Sequence, residues 1–221
     1  GQMDYGNYSS DGEYLGWKSY SRGKRYYTLS ANEKYAYMSY GFDTVDGVHL
    51  YFDEDGYKVI SGTEDSVKIK KIESGYYAVD YDGELTVNDW EEMDDLLYYF
   101  DSEGKMVRNR EYKIDGKYYL FDTDGTLFMG NSCTEFYDFT SNTYAVRQDG
   151  TLVTNKCGKI DGDKYYFDVK GVMQKNKIIK IGKKQYYFGK NGKMVCDRNF
   201  KYKGKKYHSN AKGVVSVVKE E

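Results

Sequence analysis

The groups in this chain with chemistry to offer are carboxylates, two histidines, three cysteines and many aromatic rings, and their spacing decides what that chemistry is. The carboxylates recur in short turns: Asp53-Glu54-Asp55-Gly56, Asp101-Ser102-Glu103-Gly104 and Asp122-Thr123-Asp124-Gly125. Asp-x-Asp-Gly opens a calcium loop, but the bidentate Glu that closes such a loop is missing. Other copies read Val169-Lys170 or Lys190-Asn191 at the acidic places. The acids therefore build turns, and neither a metal nor a cofactor is expected. A glycosidase pair of carboxylates would break the period and stand in a cleft. His49 and His208 form no metal-binding pair, and no G-x-S-x-G nucleophile motif occurs. Cys133, Cys157 and Cys196 are odd in number and lack CxxC spacing, which argues against a disulfide framework or a zinc site. Catalysis is not expected of this chain.

The elements that carry these groups follow from a repeat. Gly83, Gly104 and Gly125 stand 21 residues apart, as do Gly150, Gly171, Gly192 and Gly213, each after an aromatic run and a polar turn. Gly12 fits the same frame, with Glu33 one period later. A fixed period near 20 residues marks a solenoid, whose units bury their apolar faces only by stacking. The chain holds 27 Tyr, 10 Phe and 24 Gly with no Pro, so short strands, tight turns and an aromatic core are expected. Lys113-Ile114-Asp115-Gly116-Lys117 and Ile160-Asp161-Gly162 set Asp-Gly between apolar runs, the pairing that a type I′ hairpin turn demands. The expected fold is all-β: an elongated solenoid of stacked β-hairpins, about ten repeats of roughly 21 residues, forming a single domain over 1–221. Repeats within 1–60 are degenerate. Period breaks near 60–75, 87–97 and 130–143 read as inserted loops, the second with an acidic helical turn at 88–95.

Strand alternation separates two faces. One carries Leu29, Phe52, Val79, Phe100, Phe121, Val146, Phe167, Phe188 and Ser209, with Tyr77, Tyr98, Tyr119, Tyr144, Tyr165, Tyr186 and Tyr207 beside it, and should be the core. The other carries Tyr51, Ala78, Tyr99, Leu120, Ala145, Tyr166, Tyr187 and His208, and reads as a solvent or ligand surface. Residues 1–110 carry 22 acidic and 12 basic side chains, and residues 111–221 carry 13 and 21. The basic half reads either as solvated strand edges or as a surface for an anionic polymer. No nucleic-acid motif is present, and no apolar run is long enough to insert in a membrane.

Tyr-Tyr-Phe-Asp-x-x-Gly-x-Met, as in Tyr98 to Met106 and Tyr165 to Met173, resembles the cell-wall-binding repeats. These are the choline-binding and glucan-binding modules of Gram-positive surface proteins and clostridial toxins. The resemblance implies a β-hairpin solenoid, secretion or display at the cell surface, and attachment to wall polymers, usually beside another domain outside this chain. In the choline-binding form, two Trp and a Tyr cage a quaternary ammonium by cation–π attraction. Leu15-Gly16-Trp17 matches the first Trp position, whereas Cys157 and Ile178 stand there in later copies. The second Trp position reads Tyr26, His49, Tyr76, Leu97, Tyr118, Thr143, Lys164, Gln185 and Lys206, so the last four copies lack the cage.

Two functions remain. The first is a non-catalytic module binding wall polymer or polysaccharide through repeated weak aromatic sites, because planar rings stack on sugar faces. Its ligand residues would be Trp17, Tyr26, Tyr76, Trp90, Tyr118, Tyr166 and Tyr187. The second is a structural spacer or protein-interaction solenoid without ligand sites.

Overall fold

In a computed structural model of the chain, residues 16–29, 36–61, 67–131 and 134–218 are described, and of 16–18, 27–29 and 36–38 the backbone alone. Gly12, Glu33 and Cys133 lie outside the described residues, as do the side chains of Trp17, Thr28 and Leu29. The chain divides into two compact units, Gly1–Val107 and Arg108–Glu221. Both are all-β among the described residues, built from antiparallel hairpins linked to their neighbours by single bridges such as Tyr119 with Thr151. Four hairpins belong to the first unit: Gly16–Tyr20 with Gly23–Leu29, Gly41–Val45 with Val48–Phe52, Lys68–Ile72 with Gly75–Val79, and Asp89–Met93 with Leu96–Phe100. Five belong to the second: Arg110–Ile114 with Lys117–Phe121, Glu135–Phe139 with Asn142–Val146, Lys156–Ile160 with Asp163–Phe167, Lys177–Ile181 with Lys184–Phe188, and Arg198–Tyr202 with Lys205–Ser209. Short strands Ala36–Met38 and Val215–Val217 extend the first and last hairpins.

The turns follow local chemistry. Asp115-Gly116 and Asp161-Gly162 take left-handed φ values of 47° and 81°, and of 50° and 87°. After each hairpin, the turn Asp closes on the backbone: Asp122 Oδ1 accepts from Asp124 N and Thr126 N, both at 2.8 Å. Asp53, Asp101 and Asp168 do the same. The apolar residue beyond the turn then bridges its own strand and bonds the preceding hairpin. Met173 bridges Phe167, and its N–H donates to Thr143 O at 2.8 Å. Met194 N to Lys164 O, Leu152 N to Tyr118 O, Met106 N to Tyr76 O and Leu85 N to His49 O repeat this contact. Hairpins stack through these bonds, and the period is the chain needed to reach the previous one.

The interrupted segments are corrected by this geometry. Lys68–Ile72, Asp89–Met93 and Glu135–Phe139 are first strands of ordinary hairpins, not inserted loops, and 88–95 forms no helical turn. Their turns lack the Asp-Gly signature: Asp94 and Asp95 adopt φ of 52° and 63° without glycine, and Glu73 and Thr140 take 51° and 55°. The core face is as expected at its Phe positions, with Phe52, Phe100, Phe121, Phe167 and Phe188 wholly buried, whereas Tyr98, Tyr119, Tyr186 and Tyr207 beside them are only half-buried. The opposite face, read as a surface, is one only in part: Tyr51, Tyr166 and His208 are half-exposed. Ala78, Leu120 and Ala145 are also wholly buried, and Tyr99 and Tyr187 nearly so. Alternation describes one strand, whereas here the neighbouring hairpin covers the second face.

Candidate functional site

Two repeat positions face each other across every hairpin's open end. The second residue of the first strand pairs with the residue before the buried Phe: Trp17 with Tyr26, Phe42 with Tyr51, Trp90 with Tyr99, Cys157 with Tyr166 and Ile178 with Tyr187. The fourth residue pairs with the position expected to hold the family's second Trp: Thr44 with His49, Lys71 with Tyr76 and Lys113 with Tyr118. The first hairpin departs from the sequence alignment by two residues, because its second strand is seven residues long rather than five. Lys24, whose carbonyl accepts from Lys58 N at 2.9 Å, takes the place of His49, and Tyr26 takes that of Tyr51.

The seven candidate ligand residues are thus distributed, not gathered. Trp17 stands opposite Tyr26 in the backbone register. Tyr26 packs against the Val45–Leu50–Phe52 cluster and Tyr76 against Ala78, Phe100 and Met106. Trp90 meets Tyr99 at 5.1 Å between ring centres. Tyr118 packs against the Leu120–Tyr144 cluster, with Lys113 Nζ 5.9 Å above its ring. Tyr166 donates to Asn155 Oδ1 at 3.3 Å, and buried Tyr187 to Asn176 Oδ1 at 2.7 Å while stacking on Phe200 at 4.2 Å. The asparagines take left-handed φ of 45° and 48°, and with Asn88, bonded by Tyr99, they form a recurring hairpin brace missed in the sequence.

Sequence reasoning also missed an open cavity of about 530 Å³ within the first unit. Phe42 and Tyr77, from successive hairpins, form its aromatic wall with ring centres 4.7 Å apart. Leu50 and Leu85 line its apolar part, and His49, Asp43 and Glu103 its polar part. Asp43 is held by Ser39 Oγ at 2.6 Å and Thr44 N at 2.8 Å, and Thr44 Oγ1 meets His49 Nδ1 at 3.1 Å. Gly75 admits the Tyr77 ring: a Cβ there would lie 2.7 Å from Tyr77 Cε2. Burial first, then the carboxylates Glu73, Asp101 and Glu103, push the Tyr77 hydroxyl above its ordinary pKa. Aromatic faces beside two carboxylates suit an organic cation. The sequence signal was Gly41-Phe42, which repeats Gly16-Trp17 with Phe for Trp.

The same aromatic pairing returns in the second unit, where Phe136 and Tyr165 lie 4.9 Å apart. Beside it the protein supplies its own cation. Lys175 Nζ donates to Thr143 Oγ1 at 2.7 Å, and Thr143 donates to Asp138. Thr143 corresponds to His49, and Lys175 to Val87. Glu111 likewise meets Lys170 Nζ at 3.6 Å and the Tyr144 hydroxyl at 3.4 Å. Among the described residues no group of three or more His, Cys, Asp or Glu is arranged to hold a metal ion.

Comparison with known proteins agrees with this geometry. Residues 153–200 match the choline-binding repeat and residues 112–127 the cell wall binding repeat. No curated protein matches the chain. Among solved structures, CbpJ from Streptococcus pneumoniae TIGR4 is similar with a TM-score of 0.58 at 16% identity, over 91% of this chain and 71% of that one. Choline binding protein F from the same species, in the presence of a peptidoglycan analogue, gives 0.55 at 22% identity over 89% and 62%. The modular autolysin LytC from that species, in complex with a synthetic peptidoglycan ligand, gives 0.52 at 17% over 80% and 38%. The chain therefore spans less than two thirds of these last two structures, and at such identities the likeness is one of fold. Residues 112–127 and 153–200 thus match cell-wall-binding and choline-binding repeats, and the hairpin fold of the chain is similar to that of these solved structures.

Proposed function

We propose that this chain is a non-catalytic cell-surface module that binds wall polymer, and that the cavity beside Phe42 is where it takes a cationic group of that polymer. The observation carrying this reading is the Phe42–Tyr77 wall set against Asp43 and Glu103. The Lys175 ammonium at the corresponding cleft supports the same preference for a cation. Quaternary ammonium is the natural occupant, since it gains from ring faces without needing hydrogen-bond acceptors. The matches to choline-binding repeats and to structures solved with peptidoglycan analogues support a wall partner and a place at the cell surface. The half-exposed rings of Tyr26, Tyr76, Trp90, Tyr118 and Tyr166 remain additional weak stacking positions for polysaccharide.

Titration of the full chain with choline tests the reading. Binding is expected in the millimolar range, about −4 kcal/mol. Phe42→Ala should weaken it about fivefold or more, through loss of one ring face. Asp43→Asn with Glu103→Gln should weaken it further and flatten its salt dependence. Choline binding indifferent to all three substitutions would refute the site. The spacer reading draws on one observation, the internal contacts of Lys170 with Glu111 and of Lys175 with Thr143 in the second unit. It predicts no binding to any wall preparation.

A further inference from the structure

His49 lines the open cavity together with Phe42, Tyr77, Asp43 and Glu103. Two bonds hold it there. Its carbonyl accepts from Leu85 N at 2.9 Å, and its ring Nδ1 meets Thr44 Oγ1 directly across the hairpin at 3.1 Å. Charged and titratable groups surround it from each neighbouring element: Asp43 from its own hairpin, Tyr77 from the next, Glu84 from the segment that bridges Leu50, and Glu103 from the turn of 101–104. Among the described residues that line the cavity there is no lysine or arginine. In the second unit Thr143 holds the same repeat position, paired with Asp138 as His49 is with Thr44. There the chain places a permanent cation, since Lys175 Nζ donates to Thr143 Oγ1 at 2.7 Å. One repeat position thus meets a fixed ammonium in one unit and carries an imidazole, which can gain a proton, in the other.

We propose that His49 is a pH gate on the Phe42 cavity: neutral, it leaves the cavity to an external organic cation, and protonated, it becomes the cation of the site and lowers affinity for that ligand. The gate rests on the reading of this cavity as a cation site. Histidine is the side chain whose charge ordinarily changes between about pH 5 and 8, whereas carboxylates titrate below that window and tyrosine above it. The Tyr77 hydroxyl, held above its ordinary value, stays out of the window. His49 is exposed, so its proton exchanges with solvent without any opening of the fold. An imidazolium here acts in two ways of one sign: it repels the incoming cation, and it offsets the field of Asp43 and Glu103 that would attract it.

The test titrates the full chain with choline at constant ionic strength between about pH 5 and 8. NMR follows the His49 imidazole in parallel, its signal assigned by its loss in His49→Gln. Affinity should be about fivefold or more weaker at the acid end, a modest factor because an exposed charge is screened. His49→Gln should bind with one affinity across the range, and His49→Lys should bind at the alkaline end as weakly as the parent does at the acid end. His208→Gln, which removes the chain's other histidine and lies outside the cavity, should keep the parent's profile. Linkage requires saturating choline to move the His49 titration midpoint to lower pH by the same factor. Circular dichroism at both ends of the range separates loss of affinity from loss of folding in each variant. Choline affinity constant across the range, a profile that survives in His49→Gln, or a His49 midpoint indifferent to choline would overturn the gate and leave the cavity standing. No choline binding at any pH would overturn the reading of the cavity, and the gate with it.

Discussion

Asp95 sits at φ 63° in the turn of the fourth hairpin, where the fifth and seventh place Gly116 and Gly162. A side chain there costs more than glycine, and Asp94 adds a like charge beside it. Asp95→Gly should raise stability by about 0.5–1 kcal/mol, allowing for the added freedom of the unfolded chain. A lower midpoint in urea would count against this account of the turn. In the strands, Phe167→Ala should cost about 3–5 kcal/mol and Leu120→Ala about 2–5 kcal/mol, since both side chains are wholly buried. Tyr166, half-exposed, should cost less than either. The first of these sites was legible in the sequence, as every copy but the last, which has Ser209, sets an apolar residue at the same step before the turn. Leu120 was not legible as core, because its burial comes from a neighbouring hairpin that alternation does not encode. Asp149 adds a pH effect: its bonds from the Thr151 hydroxyl and backbone, and then Arg147, hold its carboxyl below the usual value. A depressed folded pKa means stability present above the unfolded carboxylate range and lost as pH falls through the folded value. Asp149→Asn should therefore flatten the acid limb of the melting temperature below about pH 4; an unaltered limb would contradict it.

At the scale of the hairpin, the period, the Asp-Gly turns and the acid-capped second turns were all readable, because each depends on residues within a few positions of one another. The hairpins of 68–79, 89–100 and 135–146 were hidden, because Glu73, Asp94, Asp95 and Thr140 take left-handed turns without the glycine that announces them. The cavity was hidden for a related reason. Its wall joins Phe42 to Tyr77, one hairpin away, and only stacking brings them within 4.7 Å. The comparison of the two clefts yields a prediction. In the first unit Val87 holds the repeat position of Lys175, whose ammonium bonds Thr143 beside the Phe136–Tyr165 pair. Lys175→Val should open a second cation site, and choline titration should then show about twice the sites of the parent chain, each of millimolar strength. Unchanged stoichiometry in a folded variant would show that Lys175 does not stand in for a ligand.

At the scale of the molecule, the boundary between the two compact units, at Val107 and Arg108, falls where the charge balance turns from acidic to basic. That asymmetry and its lysine-rich C-terminal stretch were visible in the sequence; the cavity beside Phe42 was not, since its wall depends on how hairpins stack. Within each unit the contacts run from a hairpin to its neighbour, so stability should behave as a chain of nearest-neighbour couplings. Gly192 is the place to test this. Its φ is 79°, and a Cβ there would lie 2.5 Å from Met173 Sδ, the residue that ties the seventh hairpin to the sixth. Gly192→Ala should cost about 1–2 kcal/mol in backbone strain alone, with the methionine forced to shift besides. If coupling is local, amide exchange should quicken most over 173–195, less over 156–167, and least over 110–121. Equal acceleration across the whole of 108–221 would mean instead that the five hairpins fold all-or-none, and that the repeat organises the sequence without dividing the energetics.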